Sequence, residues 1–209
     1  MRVDLPVLVV LGMSMVSTSA LAQVQPARTT AALVLAEGAV YLNDTPVQAT
    51  AAPSILSDVA VVRTAQGRAA IALERGGWLF LDADSSVRVF GNGVYNFNRL
   101  EVLSGSVIVS SGTSAPLIDC ESEIRLSSGG LFRVDAQPEN AKGERPCRFR
   151  VYDGAAAVPL VTVTNALRAG QSMTCNRRCG DMIPIAEFSP SQLDGFDRWA
   201  RRVQQQLEK

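Results

Sequence analysis

Between residues 68 and 172 the chain is written almost entirely in short runs where a charge stands between apolar neighbours, each closed by glycine or asparagine. The clearest runs are 68–74 (RAAIALE), 78–81, 86–90, 100–103, 106–110, 123–126, 131–135 and 147–152. A period of two marks a strand with one buried face, so Arg88, Glu101, Arg125, Arg133, Arg148 and Arg150 are expected to face water. Runs arrive roughly every ten residues without a fixed sequence period, which suits a sandwich, a roll or a short solenoid-like stack. The predicted fold is all-β: stacked short antiparallel strands over 33–186, followed by an amphipathic C-terminal helix over 187–209. A leader over 1–22 and a flexible lead-in over 23–32 precede them.

Glycine decides where such strands turn. Ser104-Gly105 and Asp153-Gly154 supply the positive φ that tight connections need, and are expected to make hairpins. Asn43-Asp44 is a further turn dipeptide, and Gly130 relieves a corner before Leu131. At Ser189 the pattern changes. Ser189-Pro190-Ser191-Gln192 reads as a capping box, and Leu193, Phe196, Ala200, Val203 and Leu207 then recur at helical spacing beside Trp199. Asp194–Arg198 and Asp197–Arg201 are expected to form surface i,i+4 pairs. An isolated helix of this length is marginal in water, so its apolar stripe docks either on the β domain or on a partner. Phe196 and Trp199 are the candidate partner contacts.

The first 22 residues have the layout of an export signal: Arg2, an apolar stretch over 5–16, and Ala20-Leu21-Ala22 before Gln23. The expected location is periplasmic or extracellular after cleavage behind Ala22. Membrane contact is expected only through the leader, as an anchor, if the Ala22-Gln23 bond is not cut. In an oxidising compartment Cys120, Cys147, Cys175 and Cys179 are expected to form two disulfides, with three connectivities open. Cys120–Cys147 with Cys175–Cys179 is the favoured set, since the first pair ties strands on either side of the irregular segment 137–146. One tetrahedral zinc ion held by the four thiolates is the alternative, although no C-x2-C pair is present.

With 20 basic and 20 acidic residues the formal charge is zero, and no basic block exists to drive nucleic-acid binding. The chain has no histidine, which removes Ser-His-Asp and Cys-His nucleophile systems. Asp82 and Asp84 share one side of a strand end, but read better as an aspartate-rich turn than as a calcium or carboxylate site. Asp119, Glu121 and Glu123 are expected to sit in cross-strand ion pairs. Trp78, Tyr95, Phe97 and Trp199 fit core packing as well as a sugar-stacking platform. No catalytic residue, cofactor or metal site is assigned, and the chain is not read as an enzyme.

The segments Glu37-Gly38-Ala39-Val40, 63–69 (RTAQGRA), 79–89 (LFLDADSSVRV), 100–109 (LEVLSGSVIV), 130–135 (GLFRVD), 151–158 (VYDGAAAV) and 167–171 (LRAGQ) follow one another in the order of a FecR-type domain. The stretch 193–200 (LDGFDRWA) resembles the Phe-Asp-x-Trp helix that ends many secreted members. The resemblance covers about 33–200. It implies a β module of the cell envelope that contacts another macromolecule and carries no catalytic residues. Signalling members of that family add a cytoplasmic anti-sigma segment, a transmembrane helix and a transporter-docking domain. The sequence is not expected to contain these, so the signalling role does not transfer with the resemblance. The expected function is an exported, non-catalytic module that binds an envelope protein or polymer. The alternatives are a self-associating structural or adhesive protein and, last, a carboxylate-based glycan enzyme.

Overall fold

The computed structural model describes residues 31–48, 53–73, 76–90, 99–138, 141, 145–159, 164–175 and 184–209. The expected leader over 1–22, Tyr95, Phe97 and Cys179, with the expected Cys175–Cys179 pairing, lie outside them. The fold is all-β, as the alternation predicts: among the described residues fifteen strands form one continuous sheet, and a single helix follows.

Three long strands organise it: β1 (Ala32–Leu42), β4 (Val59–Ala72) and β7 (Arg99–Ser110). β1 and β4 run antiparallel with Gly38 opposite Gly67, and the register shifts beside that pair. A side chain cannot be added at either glycine, because each Cβ would lie 2.4 Å from a carbonyl oxygen of the opposite strand. The halves of β4 and β7 share two short strands, β5 (Trp78–Leu81) and β6 (Ser86–Phe90). β6 pairs with the first half of each long strand and β5 with the second.

This arrangement corrects two expected hairpins. Gly105 has a positive φ, but β7 passes straight through it, because each half already has its own neighbours. A Cβ there would meet Ser85 Oγ at 2.4 Å. Gly154 likewise makes a corner: β11 (Cys147–Asp153) pairs with β10 (Leu131–Ala136) and β14 (Gln171–Cys175). β12 (Ala155–Pro159) leaves that corner to pair with β9 (Glu123–Leu126) and β13 (Thr164–Arg168). Asn43-Asp44 does form the expected turn, with positive φ at both residues, joining β1 to β2 (Thr45–Val47). Gly130 sits where a Cβ would strike the Phe132 ring at 2.4 Å.

From β13 the sheet runs through β12, β9, β8 (Leu117–Asp119), β7, β10, β11 and β14 to β15 (Ile185–Glu187). The two-residue strand β3 (Ser54–Ile55) lies against β1. Among the described residues the pair β7–β8 is parallel, and every other pairing is antiparallel. One core cluster holds Ile118, Ile124, Val158 and Leu167 from one end of this path together with Phe132, Phe149 and Met173 from the other. The sheet therefore wraps over its own inner face. Its outer face carries a second cluster, Ala70, Phe80 and Ile108, covered by Phe196, Trp199, Ala200 and Val203 of helix α1 (Gly195–Leu207).

Cys120 and Cys147 are joined, as the favoured pairing expects. Two sulfurs so joined cannot be thiolate ligands, which rules out the four-thiolate zinc alternative. Cys175 is buried directly opposite Cys147 in the β11–β14 register. With Cys120 and Cys147 separated by 27 positions, replacing both by alanine is expected to cost about 3 kcal/mol of stability. Urea unfolding with and without reductant measures this, and the double variant should lose the reductant sensitivity that this bond confers.

Candidate functional site

The organised polar constellation of the described residues lies where α1 meets the outer sheet face. On β10, Leu131, Arg133 and Asp135 share that face, and on β11 Arg150 and Tyr152 do. Sequence alternation places Arg133 on the outward side correctly but predicts contact with water. Instead its side chain is 8 % exposed, because the helix lies over it.

The helix start explains why. The N-cap is Asp194, and the expected box at Ser189 is instead a turn closed by the Gln192 N–H donating to the Ser189 carbonyl. The Asp197 N–H donates to Asp194 Oδ1 and the Asp194 N–H to Asp197 Oδ2, both at 2.9 Å, so two carboxylates form a capping box. Their remaining oxygens point into the sheet. Arg133 Nη1 donates to Asp194 Oδ2 at 2.6 Å and to Asp197 Oδ1 at 3.1 Å, while its Nε donates to Asp135 Oδ1 at 2.8 Å. Arg150 Nη2 donates to Asp135 Oδ2 at 2.6 Å, the Ser106 hydroxyl to Asp135 Oδ1 at 2.7 Å, and the Tyr152 hydroxyl to Asp197 Oδ1 at 2.9 Å. The expected surface pairs of Asp194 with Arg198 and Asp197 with Arg201 do not form, since both acids serve Arg133.

Electrostatics follow from this geometry. Burial works against a charged Arg133, but Asp135, Asp194 and Asp197 outweigh it and hold the guanidinium charged. Burial also raises the Asp135 carboxyl, yet Arg133, Ser106 and Arg150 bring it below the usual carboxylate range. For Asp194, burial is overcome by the Asp197 N–H and by Arg133, which bring it down to about 2. Burial, opposed by Arg150 and helped by Asp197, pushes the Tyr152 phenol up to about 12. Near neutral pH the cluster is therefore a fixed set of charge-assisted hydrogen bonds that clamps the helix.

Around the clamp, Trp199 Nε1 donates to Glu37 Oε2 at 3.0 Å and Gln204 Nε2 to the Ser110 hydroxyl at 3.2 Å. Phe196 and Trp199 are only 2 % and 3 % exposed. Their assignment as partner contacts is corrected: their rings are spent on the chain's own sheet. Trp78 stacks on Phe80, so the two tryptophans pack the helix interface and do not form a sugar platform. A recess between α1 and the sheet, lined in part by Phe80, Ile108, Tyr152 and Gln204, holds Asp197 as its one carboxylate. Asp82 is paired with Arg68, and Asp84 occupies a turn at positive φ. Asp119 is bound by Arg99, and Glu123 by Arg125.

The sheet offers edges as well as this clasp. β15 ends the strand path, and all three of its residues are exposed, Ile185 to 40 %. Ile55 beside β1 and Val59 at the start of β4 are also exposed. Among the described residues no helix is long and apolar enough to cross a membrane, and no group of three or more potential ligand residues could hold a metal ion.

No family model matches the chain, and no curated protein does. Two crystal structures of a "putative anti-sigma factor" from Parabacteroides distasonis ATCC 8503, at 2.50 and 1.65 Å resolution, are similar to it. Each is 14 % identical with a TM-score of 0.52; the alignments cover 64 % and 63 % of this chain and 62 % and 61 % of the solved chains. This chain thus matches less than two thirds of their length. What the two share with it is the β fold.

Proposed function

We propose that the chain is an exported, non-catalytic FecR-like β module that binds a protein or polymer of the cell envelope through the edges of its sheet. The observation that carries this reading is β15, whose three residues are all exposed and whose outer edge has no strand partner among the described residues, so that an extended segment of a partner can add by backbone hydrogen bonding. The closed Cys120–Cys147 bond suits an oxidising compartment outside the cytosol. The likeness to anti-sigma factor structures supports a regulatory rather than a chemical role, by analogy of fold.

The test is a photo-crosslinking residue at Ile185 in the cells that make the protein. One defined heterologous adduct is expected. An adduct between two copies of this chain that grows with expression level would instead establish the self-associating reading, which the same open edge favours. Absence of any adduct rejects both.

A further inference from the structure

The clasp has a consequence for the opposite side of α1. Asp194 and Asp197 would neutralise Arg198 and Arg201 on an isolated helix. Here Arg133 binds both carboxylates, Asp197 buried and Asp194 still 51 % exposed, and Glu208 is engaged by Trp78 and Gln204. Arg198, Arg201 and Arg202 are all exposed, and none has a salt-bridge partner among the described residues. Arg198 donates to the Leu193 carbonyl, and Arg201 lies over the edge of the clasp with its guanidinium 5.9 Å from the Tyr152 ring centre. Three exposed arginines thus lie on the side of the helix away from its packed face, Arg201 at the flank beside Tyr152.

We infer that this side of the helix is a docking surface for an acidic protein segment. The inference rests on reading the chain as a binding module and gives that module a second, charge-selective face. Arg198 and Arg202 are four residues apart, about 6 Å along the axis. That spacing matches carboxylates at i,i+4 of a partner helix or at alternate positions of a strand. Guanidinium forks bind carboxylates in two-pronged fashion, and the packed helix holds their backbone positions fixed. A lipid surface fits less well. Interfacial helices bury an apolar face in the bilayer, and here that face is already packed on Phe80 and Ile108.

The experiment uses the purified mature chain and a labelled helical peptide carrying glutamate pairs at i,i+4, compared with the same peptide carrying glutamine. The glutamate peptide is expected to bind about tenfold more tightly at low ionic strength, with the preference fading at high salt. The triple variant Arg198→Gln, Arg201→Gln, Arg202→Gln should abolish the preference while unfolding at an unchanged temperature. Equal affinity for the two peptides, no binding of either, or sedimentation with phosphatidylglycerol vesicles in place of peptide binding would overturn it. The Ile185 crosslink reads the binding-module reading separately. If the adduct persists while the peptides show no preference, only the docking-surface inference fails; if the adduct is missing, the parent reading fails.

Discussion

Replacing Arg133 by leucine is expected to lower the unfolding free energy by about 3–5 kcal/mol. The loss comes from what remains: Asp197 has a side chain 3 % exposed and Asp135 one 18 % exposed, and both would keep a desolvated charge with its main counter-ion gone. Urea unfolding at neutral pH measures the cost. A double variant that also carries Asp197→Asn should recover part of it, since the amide can still accept from Tyr152 without needing a counter-charge. The pH dependence gives an independent check. Asp135 and Asp194 have folded-state values below their unfolded ones, so their contribution is fully present above about pH 4 and is lost as pH falls. For Asp194 the loss runs down to its folded value of about 2. The stability gap between wild type and Arg133→Leu should therefore narrow over that acid range. A gap that stays constant would show that the arginine acts through packing alone.

Trp199→Ala should cost a comparable amount, about 3–5 kcal/mol. The indole is 3 % exposed, meets Phe80 edge-on at 6.0 Å and lies parallel to Phe196 at 6.0 Å. Its N–H also carries the hydrogen bond to Glu37, which is exposed and can turn to water, so the cost of truncation is chiefly the cavity. Trp199→Phe should restore much of the packing but not that bond, and is expected to fall between wild type and alanine. Trp78, which stacks on Phe80 in the same cluster, then serves as the fluorescent reporter of helix docking. An alanine variant within 1 kcal/mol of wild type would mean that the helix is not held to the sheet in solution.

What was legible in the sequence is what local periodicity controls. Alternation placed the strands and their inner faces, Asn43-Asp44 and Gly130 announced their geometry, and the position of Cys120 and Cys147 around an irregular segment identified a bond that forms. What failed depended on distant partners. Ser-Gly is the same dipeptide in a hairpin and in a bent strand, and the choice at Gly105 was made by β5 and β6 lying along both halves of β7. Alternation could assign Arg133 to the outer face but could not say that a helix some 60 positions later would cover it. A usable signal was present: Asp194 and Asp197 stand at capping-box spacing directly before the apolar stripe, competing with Ser189 as the helix start. The same two acids also stand at i,i+4 from Arg198 and Arg201, and local spacing does not choose between the two uses.

The bond from Trp199 to Glu37 spans 162 positions, tying the helix back to the first strand. During synthesis from the N-terminus, β1 emerges long before α1 can reach it. A product cut short ahead of Gly195 would lack the residues that cover Phe80 and Ile108. Such fragments would present an oily sheet to chaperones and proteases, so quality control could tell finished molecules from abandoned ones by that single uncovered face.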